Sequence, residues 1–387
     1  MCAPDQQPLK SATPKTATIT TTTTTTEKVT KNAVTNEKWI LKCRPEGIFS
    51  PEKDAQFVTE SLDLDCQEDE IIVESSYLSV DAFIRTMLDE EAYHGAINVG
   101  SSLPALGYGK VVAVGPSSKH KVGSLVAGMM GAQTYAKVKS KDTFGVLQFP
   151  YMTPTASLGI MGVTTGLTAY TGVFYVCRRP RKGETVVVTG AAGAVGSIAA
   201  QLAKSTGARV IGLAGGSRKK EYLLEELHLD GVLDYKCIQT PLAEQIDALC
   251  PEGIDFIYDN VGGSTLDVLL AKINPGGRVV ICGAISQYSG NLNKGRVVGP
   301  SNYLKLAERG AEMKGFNVMQ YMYKLPLAIV GMFYLYMRGK VQMTETVEKG
   351  IRSFPKALEN LFTGGHIGKM LVHVNGNASS SSSSSSN

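Results

Sequence analysis

The sequence predicts an α/β fold: a doubly wound parallel sheet together with a smaller, partly open β-barrel. Three observations carry this. A β-branched run, Thr185–Thr189, passes through Gly190, Gly193 and Gly196 into a helical stretch, Ser197–Lys204, the pattern of a strand buried on both faces and its crossover helix. Strand-like and helix-like segments then alternate as far as Cys282, which signals a parallel sheet. Upstream, from Lys38 to about Tyr151, the texture is short strands between turn residues, the texture of a barrel.

Taken in order, Met1 to about Thr35 is a low-complexity tail around the threonine run Thr20–Thr26, and Ser379–Ser386 repeats the theme with serine. Neither can bury enough apolar surface to offset its ordering entropy. The barrel strands are expected at Trp39–Cys43, Phe57–Leu62, Glu70–Leu78 and Gly107–Gly115. An apolar stretch with closely spaced small residues, Thr164–Tyr175, suits a helix lying against the sheet. Parallel strands are expected at Thr185–Thr189, Arg209–Leu213, Val232–Tyr235, Phe256–Asp259 and Arg278–Cys282. Helices are expected near Ala194–Ser205, Lys219–Leu227, Pro241–Leu249 and Thr265–Lys272. Leu325–Met337 is continuously apolar but too short to span a bilayer, which takes about twenty residues. It reads as a buried or subunit-facing helix, in preference to an interfacial membrane contact beside Arg338 and Lys340.

Bulk properties exclude several classes. The chain has 387 residues, 43% apolar and 19% charged, enough for two domains and a large core. A net charge of +4 and the lack of a tight basic run with interleaved aromatics argue against a nucleic-acid partner. Seven scattered cysteines without a C-x-x-C pair suggest neither a disulfide framework nor a zinc ribbon. Reduced thiols and an N-terminal segment with no apolar core point to the cytoplasm; a transit peptide among Lys10, Lys15, Lys28 and Lys31 is the second reading.

The glycine turn departs from G-x-G-x-x-G, with Ala191 in the first glycine position. Strand, turn and helix in this order place backbone amides and a positive helix end where a pyrophosphate can sit; the alternative is a tight turn without ligand. The second strand distinguishes the nucleotide. Val210–Ala214 runs into Gly215-Gly216-Ser217-Arg218-Lys219-Lys220, and the first carboxylate is Glu221, already inside the next helix. A hydroxyl and three cations there favour NADPH over NAD.

These blocks together make a resemblance. Leu78-Ser79-Val80-Asp81 followed by Arg85, Gly166-Leu167-Thr168-Ala169-Tyr170, Ala191–Gly196, Asp259-Asn260-Val261-Gly262-Gly263 and Cys282–Tyr288 occur in one order. From about Lys38 to Val374 the chain resembles the zinc-independent branch of the medium-chain dehydrogenase/reductase superfamily. Within it, the chain is similar to the prostaglandin reductase, leukotriene B4 12-hydroxydehydrogenase and 2-alkenal (double-bond) reductase group. The resemblance implies a GroES-like barrel domain over 36–160, completed by 341–376, and a Rossmann nucleotide domain over 161–340. It also implies a homodimer.

Carried over by position, Gly193, Ala194, Val195 and Gly196 would hold the pyrophosphate of NADPH. Lys220 and Tyr235 would flank the 2′-phosphate, with Ser217 and Arg218 as helpers. Asn260 and the run Cys282, Gly283, Ala284, Ile285, Ser286, Gln287 and Tyr288 would line ribose and nicotinamide. Phe316, Asn317 and Val318 would close over the nicotinamide, and His366 stands where relatives use asparagine toward the cofactor. Tyr93 lies near a position where relatives place a substrate-contacting tyrosine. The chain departs from the family after Asp81, reading Ala82-Phe83-Ile84-Arg85 in place of Pro-Tyr-Met-Arg, and Leu325–Met337 is greasier than the amphipathic helix expected there.

No metal is expected. A catalytic zinc needs about three Cys, His or carboxylate ligands, whereas His94, His120, His228, His366 and His373 lie in separate segments, and Tyr108 stands where zinc-bearing relatives place a His-Glu pair. Without a metal, an α,β-unsaturated carbonyl asks less of the protein than a simple ketone: hydride goes to the β-carbon and charge collects on the enolate oxygen. The resemblance makes Tyr288 the hydrogen-bond donor to that oxygen; the alternative is an aromatic that only walls the pocket. The expectation is an NADPH-dependent ene reductase of enals, enones or lipid carbonyls. The rival readings are a zinc-free quinone reductase and a non-catalytic, membrane-associated NADPH-binding protein.

Overall fold

A computed structural model of the chain describes residues 32–92, 94–146, 151–289, 297 and 299–375. Strands β1 (Ala33–Leu41) and β2 (Ala55–Asp63) form an antiparallel ribbon. Strands β3 (Glu70–Ser79), β4 (Leu106–Val114), β5 (Leu125–Met129), β6 (Tyr135–Lys139) and β7 (Phe144–Gly145) begin an antiparallel sheet that two later strands will join. The middle of the chain builds the second sheet from β8 (Thr185–Thr189), β9 (Arg209–Ala214), β10 (Gly231–Asp234), β11 (Ile254–Asp259), β12 (Ile273–Ile281) and β13 (Glu312–Gly315). All its pairings are parallel, in the order β10-β9-β8-β11-β12-β13. The order reverses at the β8/β11 boundary, the place where such sheets open a ligand crevice at their carboxyl ends.

The doubly wound character is visible in where the β8 valines point. Val186 and Val188 pack with Ile198, Ala199 and Leu202 of the helix Ala194–Ser205 on one face. Val187 joins Ile246, Leu266 and Leu269, from two other helices, on the opposite face. All three valines are fully buried, which is why the run needs β-branched residues throughout rather than alternation.

The chain then returns to the first sheet. Strands β14 (Glu345–Lys349) and β15 (Lys369–His373) extend it to β14-β15-β3-β4-β5-β7, with β15 antiparallel to β3 and β6 also paired on β3. Ile351, Phe354, Leu358, Met370 and Val372 complete one apolar core with Leu41, Ile71, Val73 and Leu78. The Trp39 indole donates to the Ile351 carbonyl at 3.0 Å, so the ribbon is held to this late segment too.

Several expectations need correction. Strand β1 starts at Ala33, inside the stretch read as tail; the remainder of that tail, residues 1–31, and the serine run lie outside the described residues. Strands β5, β6, β7, β13, β14 and β15 and the helix Phe354–Thr363 went unread. Short, charged segments such as Glu345-Thr-Val-Glu-Lys349 carry little periodic signal, and their strand identity comes from the neighbour they pair with. Strand β12 reaches back to Ile273 through Asn274-Pro275-Gly276-Gly277, turn-like residues accommodated by a register shift against β11. The expected helix Lys219–Leu227 is α-helical over Ser217–Glu221 and widens to a π-turn over Tyr222–Glu226.

Leu325–Met337 is a helix with those bounds, but it is not a buried one. Only Ala328 and Met332 are fully buried, while Leu327, Val330 and Tyr334 are more than half exposed. Among the described residues no helix is long and apolar enough to cross a membrane.

Candidate active site

The glycine turn after β8 is closed by its own backbone. Gly190 adopts φ +59°, the Gly193 amide donates to the Gly190 carbonyl at 2.9 Å, and Gly196 packs onto the same carbonyl. A β-carbon at position 196 would lie 2.2 Å from that oxygen, so only glycine fits. The helix starts at Ala194, and the first helical amide to find a carbonyl is Ser197, bonded to Gly193. First-turn amides lack helical acceptors, and no side chain caps this end. With the Gly193 amide turned back onto Gly190, the first-turn amides of Ala194, Val195 and Gly196 form a positive helix end suited to a pyrophosphate. The turn is also tied to the C-terminal segment: the Gly368 amide donates to the Ala192 carbonyl at 2.8 Å, and Gly193 bridges Gly368.

At the end of β9 the structure gathers cations. Lys219 is half-buried beside Lys236 and Arg218; desolvation first, and these like charges second, lower its pKa. Its ammonium lies next to the Gly364–His366 loop, 3.6 Å from where a Gly364 β-carbon would be. His366 is pushed down to about 4 by desolvation and by Lys219, so at neutral pH it adds a ring without a charge. Among the described residues, none of Arg218, Lys219, Lys220 and Lys236 forms a salt bridge. Uncompensated cations crowded at a half-buried position fit a 2′-phosphate. Tyr235 lies over Gly215, with its ring 2.6 Å from a β-carbon built there.

The sequence reading gave the central cation as Lys220, and the structure sets Lys219 beside it as the more enclosed of the two. Lys220 is exposed and Lys219 is the half-buried one; successive helical residues point about 100° apart, which turns Lys219 toward the Gly364–His366 loop. Lys236 was missed altogether, because it reaches the group from the next strand's loop. Ser217 and Arg218 are exposed at the start of the same helix.

The loops after β11 and β12 interlock at the crevice. Asp259 accepts from the Thr189 hydroxyl at 2.7 Å and from the Gly262 and Val261 amides; burial nonetheless raises its pKa. Asn260 donates its side-chain amide to the Thr189 carbonyl at 2.7 Å. The Gly283 and Ile285 amides bond to the Asp259 and Asn260 carbonyls, and the Ser286 hydroxyl bonds to the Val261 carbonyl. Ala284, Ile285, Ser286 and Gln287 therefore form a fixed turn beside Asn260. Cys282 contributes backbone here, because its thiol lies against the Tyr258 hydroxyl, and desolvation pushes it up to about 12.

Tyr288 folds back over this turn. It is buried, at 8% exposure, and its hydroxyl oxygen accepts from the Ala284 amide at 3.1 Å. That polarises the hydroxyl as a donor. Phe316, Asn317 and Val318 follow β13, where Asn317 spends its carbonyl oxygen capping the turn at the Met319 amide and Phe316 packs edge-on to Tyr321. Tyr93 lies outside the described residues.

The family-pattern residues Asp81 and Arg85 are structural. Lys369 donates to Asp81 at 2.6 Å, and Ser79 donates to the other carboxylate oxygen. Arg85, fully buried, pairs with Asp89 at 2.9 Å and donates to the Gly47 carbonyl. Among the described residues no three His, Cys, Asp or Glu side chains converge as a metal set. Tyr108 stacks on Tyr77, which stacks in turn on His373.

Comparison with known proteins bears on these features. Residues 37–146 match the family model of the N-terminal domain of oxidoreductase, and residues 194–325 match that of zinc-binding dehydrogenase. The NADP-dependent 2-alkenal reductase of Nicotiana tabacum is 34% identical over 88% of this chain and 98% of its own. Prostaglandin reductase 1 of Mus musculus is 31% identical over 88% of this chain and 99% of its own. The crystal structure of CurA in complex with NADPH from Vibrio vulnificus superposes with a TM-score of 0.80 at 30% identity, covering 88% of this chain and 99% of that one. The chain belongs to the zinc-independent medium-chain dehydrogenase/reductase superfamily, in the group that includes 2-alkenal and prostaglandin reductases, and is an NADPH-dependent oxidoreductase.

Proposed function

We propose that this protein is an ene reductase, saturating the carbon–carbon double bond of α,β-unsaturated aldehydes or ketones, including lipid-derived carbonyls. The observation that carries the proposal is the Tyr288 hydroxyl, held by the Ala284 amide on the turn beside Asn260. NADPH, when bound, supplies the hydride. The chain's own tasks are to hold and to polarise. Gly193–Gly196 would bind the pyrophosphate, and Lys219, Arg218 and Lys236 the 2′-phosphate. Asn260 and Ala284–Gln287 would orient the nicotinamide side, with Phe316–Val318 opposite. Tyr288 would donate to the carbonyl oxygen, where negative charge develops as the β-carbon is reduced. Residues 36–160 with 341–376 would form the substrate side and 161–340 the nucleotide side.

The names of the similar proteins support double-bond reduction without selecting a substrate. The test is NADPH consumption by purified protein across enals, enones and quinones, with products identified by mass. Saturated carbonyl products support the proposal. Oxidation of NADPH by quinones alone would replace it with the quinone-reductase reading. A homodimer and a cytoplasmic setting complete the proposal; light scattering and cell fractionation check them.

A further inference from the structure

One surface is not used by the site just described. Along the helix Leu325–Met337 and the turn before it, Tyr323, Leu327, Val330, Tyr334 and Met337 are 74%, 68%, 66%, 59% and 48% exposed. Their spacing of four, three, four and three residues sets them in one stripe, roughly 20 Å long at 1.5 Å per residue. Together they leave on the order of 500 Å² of side chain in water, at the upper end of what monomers tolerate without a partner. The opposite face is seated on protein: Ala328 and Met332 are buried, and Ile329, Phe333 and Tyr336 pack against the core.

The charges that this part of the chain itself carries have one sign. From Met313 to Thr344 there is no carboxylate, while Lys314, Lys324, Arg338 and Lys340 fall in that span. Lys314 pairs with Glu312. Lys324, Arg338 and Lys340 enter no salt bridge among the described residues, and neither does Arg179, whose charge reaches Tyr170 on the adjoining helix. Lys324 sits over the rings of Tyr175 and Tyr323 at 4.6 and 5.7 Å, and Arg338 over Tyr334 at 6.0 Å. These cations are thereby held at the rim of the apolar stripe. Laid against a second copy of itself, the helix would set like charges together, each cation facing its own copy if parallel and Lys324 facing Arg338 and Lys340 if antiparallel. An anionic lipid surface meets both features, taking the tyrosines, Leu327, Val330 and Met337 at the headgroup level and the cations among the phosphates.

We infer that the exposed face of helix Leu325–Met337 is a peripheral docking surface for anionic membranes. The inference concerns binding and stands apart from the ene-reductase proposal, so its test uses no substrate. Full-length protein is sedimented with vesicles of phosphatidylcholine alone or of phosphatidylcholine with phosphatidylserine. The expected result is co-sedimentation with the anionic vesicles only, weakened by raising salt from about 0.1 to 0.5 M. A Leu327→Glu/Val330→Glu variant should bind about tenfold less with an unchanged unfolding temperature. Tyr334→Ser, a milder change on the same stripe, should bind less as well. Protein that stays in the supernatant with every vesicle overturns the inference, as does binding unaffected by both variants. A dimer seen by light scattering and dispersed by Leu327→Glu/Val330→Glu would assign the stripe to a second copy and overturn it too.

Discussion

Lys369 and Asp81, 288 positions apart in sequence, meet in a buried ion pair at 2.6 Å, with side chains 1% and 9% exposed. The pair joins β15 to the segment after β3, one residue from the Gly368 amide that holds the glycine turn. It ties the antiparallel sheet directly to the glycine turn after β8. Removing one partner leaves a buried charge without compensation, which costs about 3–5 kcal/mol. Lys369→Met and Asp81→Ala should each lower stability by that order in urea unfolding. The double variant should recover part of the loss, because no lone charge remains.

Gly368 itself is a second test of that tie. Its φ is +68°, and a β-carbon would lie 1.9 Å from the Thr344 carbonyl. Gly368→Ala should destabilise by about 2 kcal/mol or more through strain and displacement of the backbone. It should also raise KM for NADPH more than it changes KM for the carbonyl substrate. Equal effects on both constants would show that the contact does not position the glycine turn.

The Lys219 cluster predicts cofactor discrimination. Losing one charge-assisted bond to a phosphate is worth about 1.5–3 kcal/mol, roughly 10- to 150-fold. Lys219→Met should weaken NADPH by that factor and leave NADH almost unchanged, as titration of intrinsic fluorescence would show. Lys220→Met, on the exposed side, should do little. The reverse ranking would return the role to Lys220.

Tyr288→Phe removes the hydroxyl while keeping the ring. A lost transition-state donor costs about 10²-fold in kcat, and the affinity for NADPH should change far less. Steady-state kinetics on an enone together with cofactor titration separates the two. A variant of undiminished kcat would leave Tyr288 as a wall of the pocket.

His366 makes stability depend on pH. Folded, it titrates near 4 rather than 6.5, desolvation and Lys219 both opposing its charge. Between those values the unfolded chain binds the extra proton, so the contribution is complete above about pH 6.5 and is lost as pH falls toward 4. The loss is at most about 3 kcal/mol. Urea unfolding at pH 7.0 and 4.5 should show a smaller acid penalty in His366→Asn than in the native sequence.

The doubly wound sheet was legible because its signals are local. Thr185–Thr189 is a strand that must be buried on both faces, Gly190–Gly196 a turn only glycines can make, and Ala194–Ser205 a helix with the expected bounds. The cluster of cations after β9 was legible for the same reason. What composition and spacing could not carry was phase and partnership. Lys219 and Lys220 are equivalent as letters, and only the start of the helix at Ser217 turns one inward. Strands β14 and β15 are recognisable by what they pair with, and Lys369 finds Asp81 only once β15 lies beside β3. Leu325–Met337 was identified as an apolar helix by sequence alone, yet which residues it buries depended on a surface formed elsewhere in the chain. Backbone preference and side-chain chemistry travel with each residue; burial and charge pairing are properties of two distant segments at once, and tertiary structure alone decides them.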